Sequence, residues 1–133
     1  MKTEELYRRV EDVAVAVVPE EEKGEEVWRV YLINFKEEPI SNILVNSKGY
    51  GEKDERQVKT GTLRQFFDEL EPQSFVMIEF ISKELFSINN EFWISFWYKD
   101  YLYDKKFIFL TDTIIKENLT PIPLVNKSGV MIK

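Results

Sequence analysis

Residues 92–110 read F-W-I-S-F-W-Y-K-D-Y-L-Y-D-K-K-F-I-F-L and hold nine of the chain's nineteen aromatic residues. Aromatic and β-branched side chains suit a pleated, packed surface. Both halves alternate with period two about Lys99-Asp100, which predicts a β-hairpin closed by a loop of two or four residues. Either loop divides the faces in the same way. Phe92, Ile94, Phe96 and Tyr98 share one face with Tyr101, Tyr103, Phe107 and Phe109, interrupted only by Lys105. That face is expected to be core. Trp93, Ser95 and Trp97 fall on the other with Leu102, Asp104, Lys106, Ile108 and Leu110. The question of function centres on this second, mixed face.

Working outward, further short strands separated by turn signals are expected. Residues 13–18 (V-A-V-A-V-V) read as a strand ended by Pro19, with the acid run 20–26 as a solvated loop that binds no ion. Residues 27–35 are apolar on both faces, as in a central strand buried on two sides. After a turn at Pro39, residues 40–46 form a strand, and Gly49 and Gly51 around Tyr50 suggest a bulge or tight turn. Residues 52–56 are an exposed loop and 57–60 a short strand. Thr62 and Gln65 match the capping-box spacing, and Leu63, Phe66, Phe67 and Leu70 share a helical face, so a short helix is expected over 62–70, with a strand as the other option. Residues 75–81 are a strand and 82–90 a polar connection. Thr3 can cap a short helix over 3–11. The tail 112–133 is irregular, with 129–132 able to add an edge strand.

The whole is expected to be one β domain spanning 1–133, with an acidic N-terminal segment over 1–26. The class is all-β with one or two short helices. An immunoglobulin-like β-sandwich is the expected type, and an OB-like β-barrel is the alternative.

Composition excludes several chemistries. The chain has no cysteine and no histidine. Disulfides, Cys-based zinc sites and thiol nucleophiles are therefore impossible, as are Ser-His-Asp and Cys-His catalysis. No apolar run approaches a membrane span and no signal peptide is evident, so a cytoplasmic location is expected. Of the net charge of −6, residues 1–26 carry −5, from nine acidic and four basic residues. A nearly neutral body with an acidic arm argues against general phosphate-backbone binding.

Leu70-Glu71-Pro72-Gln73-Ser74, ahead of a hydrophobic strand, resembles the L-x-P-G-x-S turn of immunoglobulin-like adhesion modules, with Gln73 in place of the usual Gly. The paired strands around Pro39, ending in Ile43 and Val45, are similar to the first hairpin of such sandwiches. The resemblance implies a binding or scaffolding surface and carries no catalytic residues. The chain is also faintly similar to a group of small uncharacterised bacterial proteins, some of which bear the label phenylalanyl-tRNA synthetase α subunit. That catalytic fold needs motif arginines. Arg8, Arg9, Arg29, Arg56 and Arg64 are the only arginines here, and none has such a setting.

Glu79 interrupts the strand V-M-I-E-F-I, and a buried carboxylate there would have a raised pKa. Alternation instead predicts that Val76, Ile78 and Phe80 point inward and Glu79 outward. Glu52, Asp54 and Glu55 do not match a calcium-loop spacing, and no cofactor or metal is expected. Trp93 and Trp97 beside Lys106 could stack single-stranded bases, in a translation-related role, but Asp100 and Asp104 break any cationic track. An uncharacterised structural role is a further alternative. The expected function is a non-enzymatic protein-interaction or assembly module that meets a protein partner or its own copy. Trp93, Trp97, Asp104, Lys106 and Ile108 form its surface, unless residues 62–70 or the tail cover that face.

Overall fold

The computed structural model describes residues 9–133. Ten strands follow one another: β1 (Val13–Glu22), β2 (Glu25–Asn34), β3 (Ile40–Lys53), β4 (Arg56–Lys59), β5 (Leu63–Leu70), β6 (Ser74–Ile81), β7 (Asn89–Tyr98), β8 (Tyr101–Phe109), β9 (Thr120–Ile122) and β10 (Lys127–Ile132). They form two antiparallel sheets. The first runs β6-β2-β1-β10-β9, and the second runs β4-β3-β7-β8 with β5 also paired to β3. Neither closes into the barrel held as the alternative. Two short 3-10 turns, Lys83–Ser87 and Lys116–Asn118, are the only helical elements among the described residues. The helix expected over 3–11 lies largely outside those residues, and Arg9 to Asp12 are not helical.

The aromatic hairpin forms as its alternation requires. Phe92 pairs with Phe107, Ile94 with Lys105, Phe96 with Tyr103 and Tyr98 with Tyr101. Lys99 and Asp100 both take positive φ, 48° and 68°, the backbone of a two-residue turn that matches strand twist. Phe92, Ile94, Phe96, Phe107 and Phe109 are buried against Val13, Val15, Val17, Val30 and Leu32 of the first sheet. This packing of two apolar faces is the main core.

Several sequence expectations are overturned. Residues 63–70 are strand β5, paired with β3 from Ile40↔Leu70 to Ser47↔Leu63. The capping-box spacing is a weak local preference, whereas the pairing satisfies a whole ladder of backbone groups. Gln65 instead turns inward and donates its side-chain amide to the carbonyl of Ile78. Pro19 does not end a strand. It lies within β1, opposite Trp28 and beyond the last β1–β10 pair, Val17↔Val130, where a missing N–H is tolerated. The run 20–26 is not a loop, because Glu22 pairs with Glu25 and only Lys23-Gly24 turns, with φ of 52° and 81°. Of the acidic segment expected over 1–26, residues 13–26 therefore belong to the first sheet, where they supply β1 and the turn into β2. Likewise residues 52–56 hold a two-residue turn at Asp54-Glu55 between β3 and β4. Gly49 and Gly51 sit inside β3 because Ile88 packs over them; a Cβ at Gly49 would lie 3.0 Å from Ile88 Cδ1.

The tail 112–133 is only partly irregular. β10 joins β1, and β9 folds back along β10, so that 120–132 lie in the first sheet. Asn34 fastens the turns beneath. Its buried amide donates to the carbonyls of Leu70 (3.2 Å), Glu71 (3.1 Å) and Glu38 (3.1 Å). Gln73 in the following turn has φ of 51°, the left-handed conformation that glycine adopts most easily.

Candidate functional site

The second sheet has an outer face, and strand register arranges it in rows. One row runs Glu69–Ser41–Trp97–Leu102 across β5, β3, β7 and β8. The middle row is Phe66–Leu44–Ser95–Asp104. The third is Arg64–Asn46–Trp93–Lys106. A fourth begins at β3 with Lys48–Glu91–Ile108. The bulge in β3 around Asn42, where φ is 48°, keeps the rows in phase as β7 shifts by one residue against β3.

The face is open and apolar at its centre. Trp93 and Trp97 are each 42% exposed, Leu102 is 52% and Phe66 is 58%. Leu44 is exposed between them. Lys106 holds its ammonium 4.7 Å from the centroid of the Trp93 ring, a cation–π contact at an exposed site. A groove of about 320 Å³ runs beside Trp97, between Ser41, Asn42, Glu69 and Lys99. Of the expected surface residues, Trp93, Trp97, Asp104 and Lys106 are exposed, while Ile108 is half-buried opposite Glu91. All five share the face. The neighbouring Glu91 is buried and accepts a hydrogen bond from Tyr50 Oη at 3.2 Å, with Lys48 3.9 Å away.

Sequence reading missed Arg64, Phe66, Glu69 and Leu44. The first three were assigned to a helix that does not form. The available signal was period two in L-R-Q-F-F, which puts Arg64 and Phe66 on one side of β5 and Leu63, Gln65 and Phe67 on the other. Neither segment proposed as an intrachain cover lies over the face, since β5 is part of this sheet and the tail lies in the first.

A second feature sits where the two sheets part. Glu79 does not point outward. A bulge at Ile78, between the pairs Val30↔Glu79 and Tyr31↔Met77, inserts one residue and reverses the alternation. Glu79 then shares the side of Val30, and Phe80 is exposed instead. Glu79 accepts a hydrogen bond from Ser47 Oγ at 2.5 Å at the wall of a cleft of about 300 Å³, with Thr60, Leu63, Leu85 and Asn90 around it. Burial pushes the Glu79 carboxyl above its ordinary value, and the Ser47 hydrogen bond only partly opposes this. Among the described residues, no group of three or more acidic side chains is placed to hold a metal ion. Nor is any helix long and apolar enough to cross a membrane.

The chain matches no family model, no curated protein and no solved structure.

Proposed function

We propose that this protein is a non-enzymatic interaction or assembly module of immunoglobulin-like type, which meets another polypeptide through the outer face of its second sheet. The observation that carries this reading is the pair Trp93 and Trp97, each 42% exposed on a sheet face that no described segment crosses. Large aromatics at the centre of a patch are the usual anchors of protein interfaces. Lys106 and Asp104 lie at the rim, where charge sets specificity more than affinity. Strand order supports the type. With β4 and β5 counted as one broken strand, the first seven strands divide into β1, β2 and β6 on one sheet and β3, β4/β5, β7 and β8 on the other. A constant-type immunoglobulin sandwich differs only in keeping its fourth strand on the first sheet. A cytoplasmic location accompanies this reading.

One observation favours single-stranded nucleic acid as a second reading, because the Trp93 row carries Arg64 and Lys106 at its two ends. Asp104 and Glu69 in the adjacent rows remove the continuous positive track such binding needs.

The test places a photo-crosslinking residue at Leu102, with the same residue at Lys23 in the β1–β2 turn as control. Irradiation should join position 102, and not position 23, to a polypeptide. The double variant Trp93→Ser/Trp97→Ser should lose that adduct while still melting cooperatively. An adduct with nucleic acid, no adduct at position 102, or an adduct that survives loss of both tryptophans would sink the protein-binding reading.

A further inference from the structure

Resting on that reading, we infer that the partner is a second copy of this chain, packed face to face across a two-fold axis that lies along the middle row Phe66–Leu44–Ser95–Asp104. Two charges on β5 point to it. Arg64 and Glu69 are both exposed on β5, and among the described residues neither has an ion-pair partner. They stand two rows apart, level with Trp97 and Trp93, which four strand positions set about 13 Å from each other, and they form no ion pair with one another. An in-plane two-fold axis midway between them places Glu69 of one copy over Arg64 of the other, and does so twice.

The same axis fits the rest of the face. Ser95 lies midway between Trp93 and Trp97, and Asp104 midway between Leu102 and Lys106. The axis therefore exchanges the first and third rows, so that Trp97 of one copy meets Trp93 of the other and Leu102 meets the stem of Lys106. The two Asp104 side chains approach near the axis, each flanked by a lysine from either copy. Ser95, the smallest side chain of these rows on β7, lies on the axis and leaves room for the partner's aromatics. An axis along the strands would instead set Arg64 against Lys106 in one row, a like-charge contact that opposes association. The face is thus complementary to itself in one orientation. A strongly acidic or basic partner would leave half of its charges opposed.

The test is sedimentation of the full chain over a concentration series. The wild type should pass from monomer to dimer as concentration rises. Glu69→Arg alone and Arg64→Glu alone should each weaken the dimer at least about tenfold, because each creates two like-charge contacts. The double variant Glu69→Arg/Arg64→Glu should restore it, since the reversed charges again face each other. Both residues are exposed, so thermal melts of all three variants at dilutions where the wild type is monomeric should match it and exclude misfolding. The adduct from position 102 should have twice the chain mass. A wild type that stays monomeric throughout, or a double variant no better than the singles, overturns the dimer. In that case an adduct of position 102 with a different polypeptide would leave the broader interaction reading standing, and no adduct would remove both.

Discussion

The two sheets share one core but treat their outer faces in opposite ways. On the first sheet the outer face carries Ala14, Ala16 and Val18 of β1 with Tyr31 and Ile33 of β2, and all are buried. Packed into the same cluster is the chain's own C-terminal return, through Ile122 at the end of β9 and Val125 in the turn between β9 and β10. The alanines leave space that the return fills, and β10 approaches β1 so closely that a Cβ at Gly129 would lie 2.7 Å from the Val17 carbonyl oxygen. On the second sheet the corresponding face carries Trp93, Trp97, Leu44 and Phe66, all exposed. A sheet face that receives its own tail uses small side chains and takes the bulk from the cover. A face that supplies bulk itself has no such tail to receive. The cover also has an edge, since Phe75, Met77 and Phe80 on β6 remain exposed beside it.

The sharpest way to break this comparison removes the same number of carbons from each side. Ile122, 1% exposed, should cost about 2–5 kcal/mol when cut to Ala, because it leaves a cavity in the cluster that holds Ala14, Ala16 and Val18. Leu102→Ala on the open face should cost under about 1 kcal/mol in dilute protein, as surface changes do. Urea unfolding at low concentration measures both. Equal losses would mean that the second face is covered in the free monomer. A Leu102 effect that grows with protein concentration would sharpen the contrast, because association adds stability by mass action.

The cover is also latched by charge. Glu20 lies at the end of the covered face, where Arg29 Nη1 donates to it at 2.6 Å and Lys127 Nζ at 2.7 Å, and the Tyr31 hydroxyl donates as well. Burial tends to raise the Glu20 pKa, but the hydrogen bonds from Lys127, Tyr31 and Arg29 outweigh it and hold the carboxyl below its ordinary value. Tyr31 is pushed up to about 12, by burial first and by Glu20 second. The folded carboxyl titrates lower than the unfolded one, near pH 4.3. The latch therefore contributes fully above that value and is lost as pH falls through the lowered folded pKa. On the alkaline side, the Tyr31 contribution is present below about pH 10 and fades as pH climbs toward about 12. Glu20→Gln should cost about 2–3 kcal/mol at neutral pH, the scale of hydrogen bonds to a charged group. The difference from wild type should shrink below pH ~4. An unchanged difference across that range would show that Glu20 latches by packing alone.

What the sequence disclosed follows physical lines. The pairing and faces of the aromatic hairpin were legible, because period two with a polar two-residue break permits only one division of faces, but Tyr101 at its tip, expected in the core, is 46% exposed. Residues 27–35 were legible as a central strand for a different reason, since both of their faces are largely apolar. The extent of β1 was not, since an acid run reads as solvated until a cation from 107 residues away, Lys127, is seen to meet Glu20. β5 was misread because its local spacing suits a helix and its partner strand lies well upstream. The candidate site was accordingly half legible: the β7–β8 half appeared with its tryptophans, while Arg64, Phe66 and Glu69 vanished with the misassigned strand. Glu79 was misplaced by a single inserted residue, and a bulge leaves no mark in an alternating run.

Glu79 gives the smallest expected effect, at the seam between the covered and open halves. Its carboxyl is partly buried with one donor, Ser47, and no cation is paired with it among the described residues. Its folded pKa is raised by burial, so the ionised form at neutral pH is the less favoured one in the fold. The sign for stability follows. As pH falls through the raised folded value toward the unfolded value near 4.3, the native state takes up its proton first and gains stability relative to neutral pH. Glutamine keeps an acceptor for Ser47 and carries no charge to desolvate. Glu79→Gln should therefore stabilise the fold by about 0.5–1 kcal/mol at pH 7, within the usual range for removing a local misfit. That gain should vanish below pH ~4, where wild-type Glu79 is itself neutral. Thermal melting of both proteins at several pH values measures it. A destabilised Glu79→Gln at neutral pH would mean that the hydrogen bond from Ser47 to the charged carboxylate outweighs the cost of burying the charge.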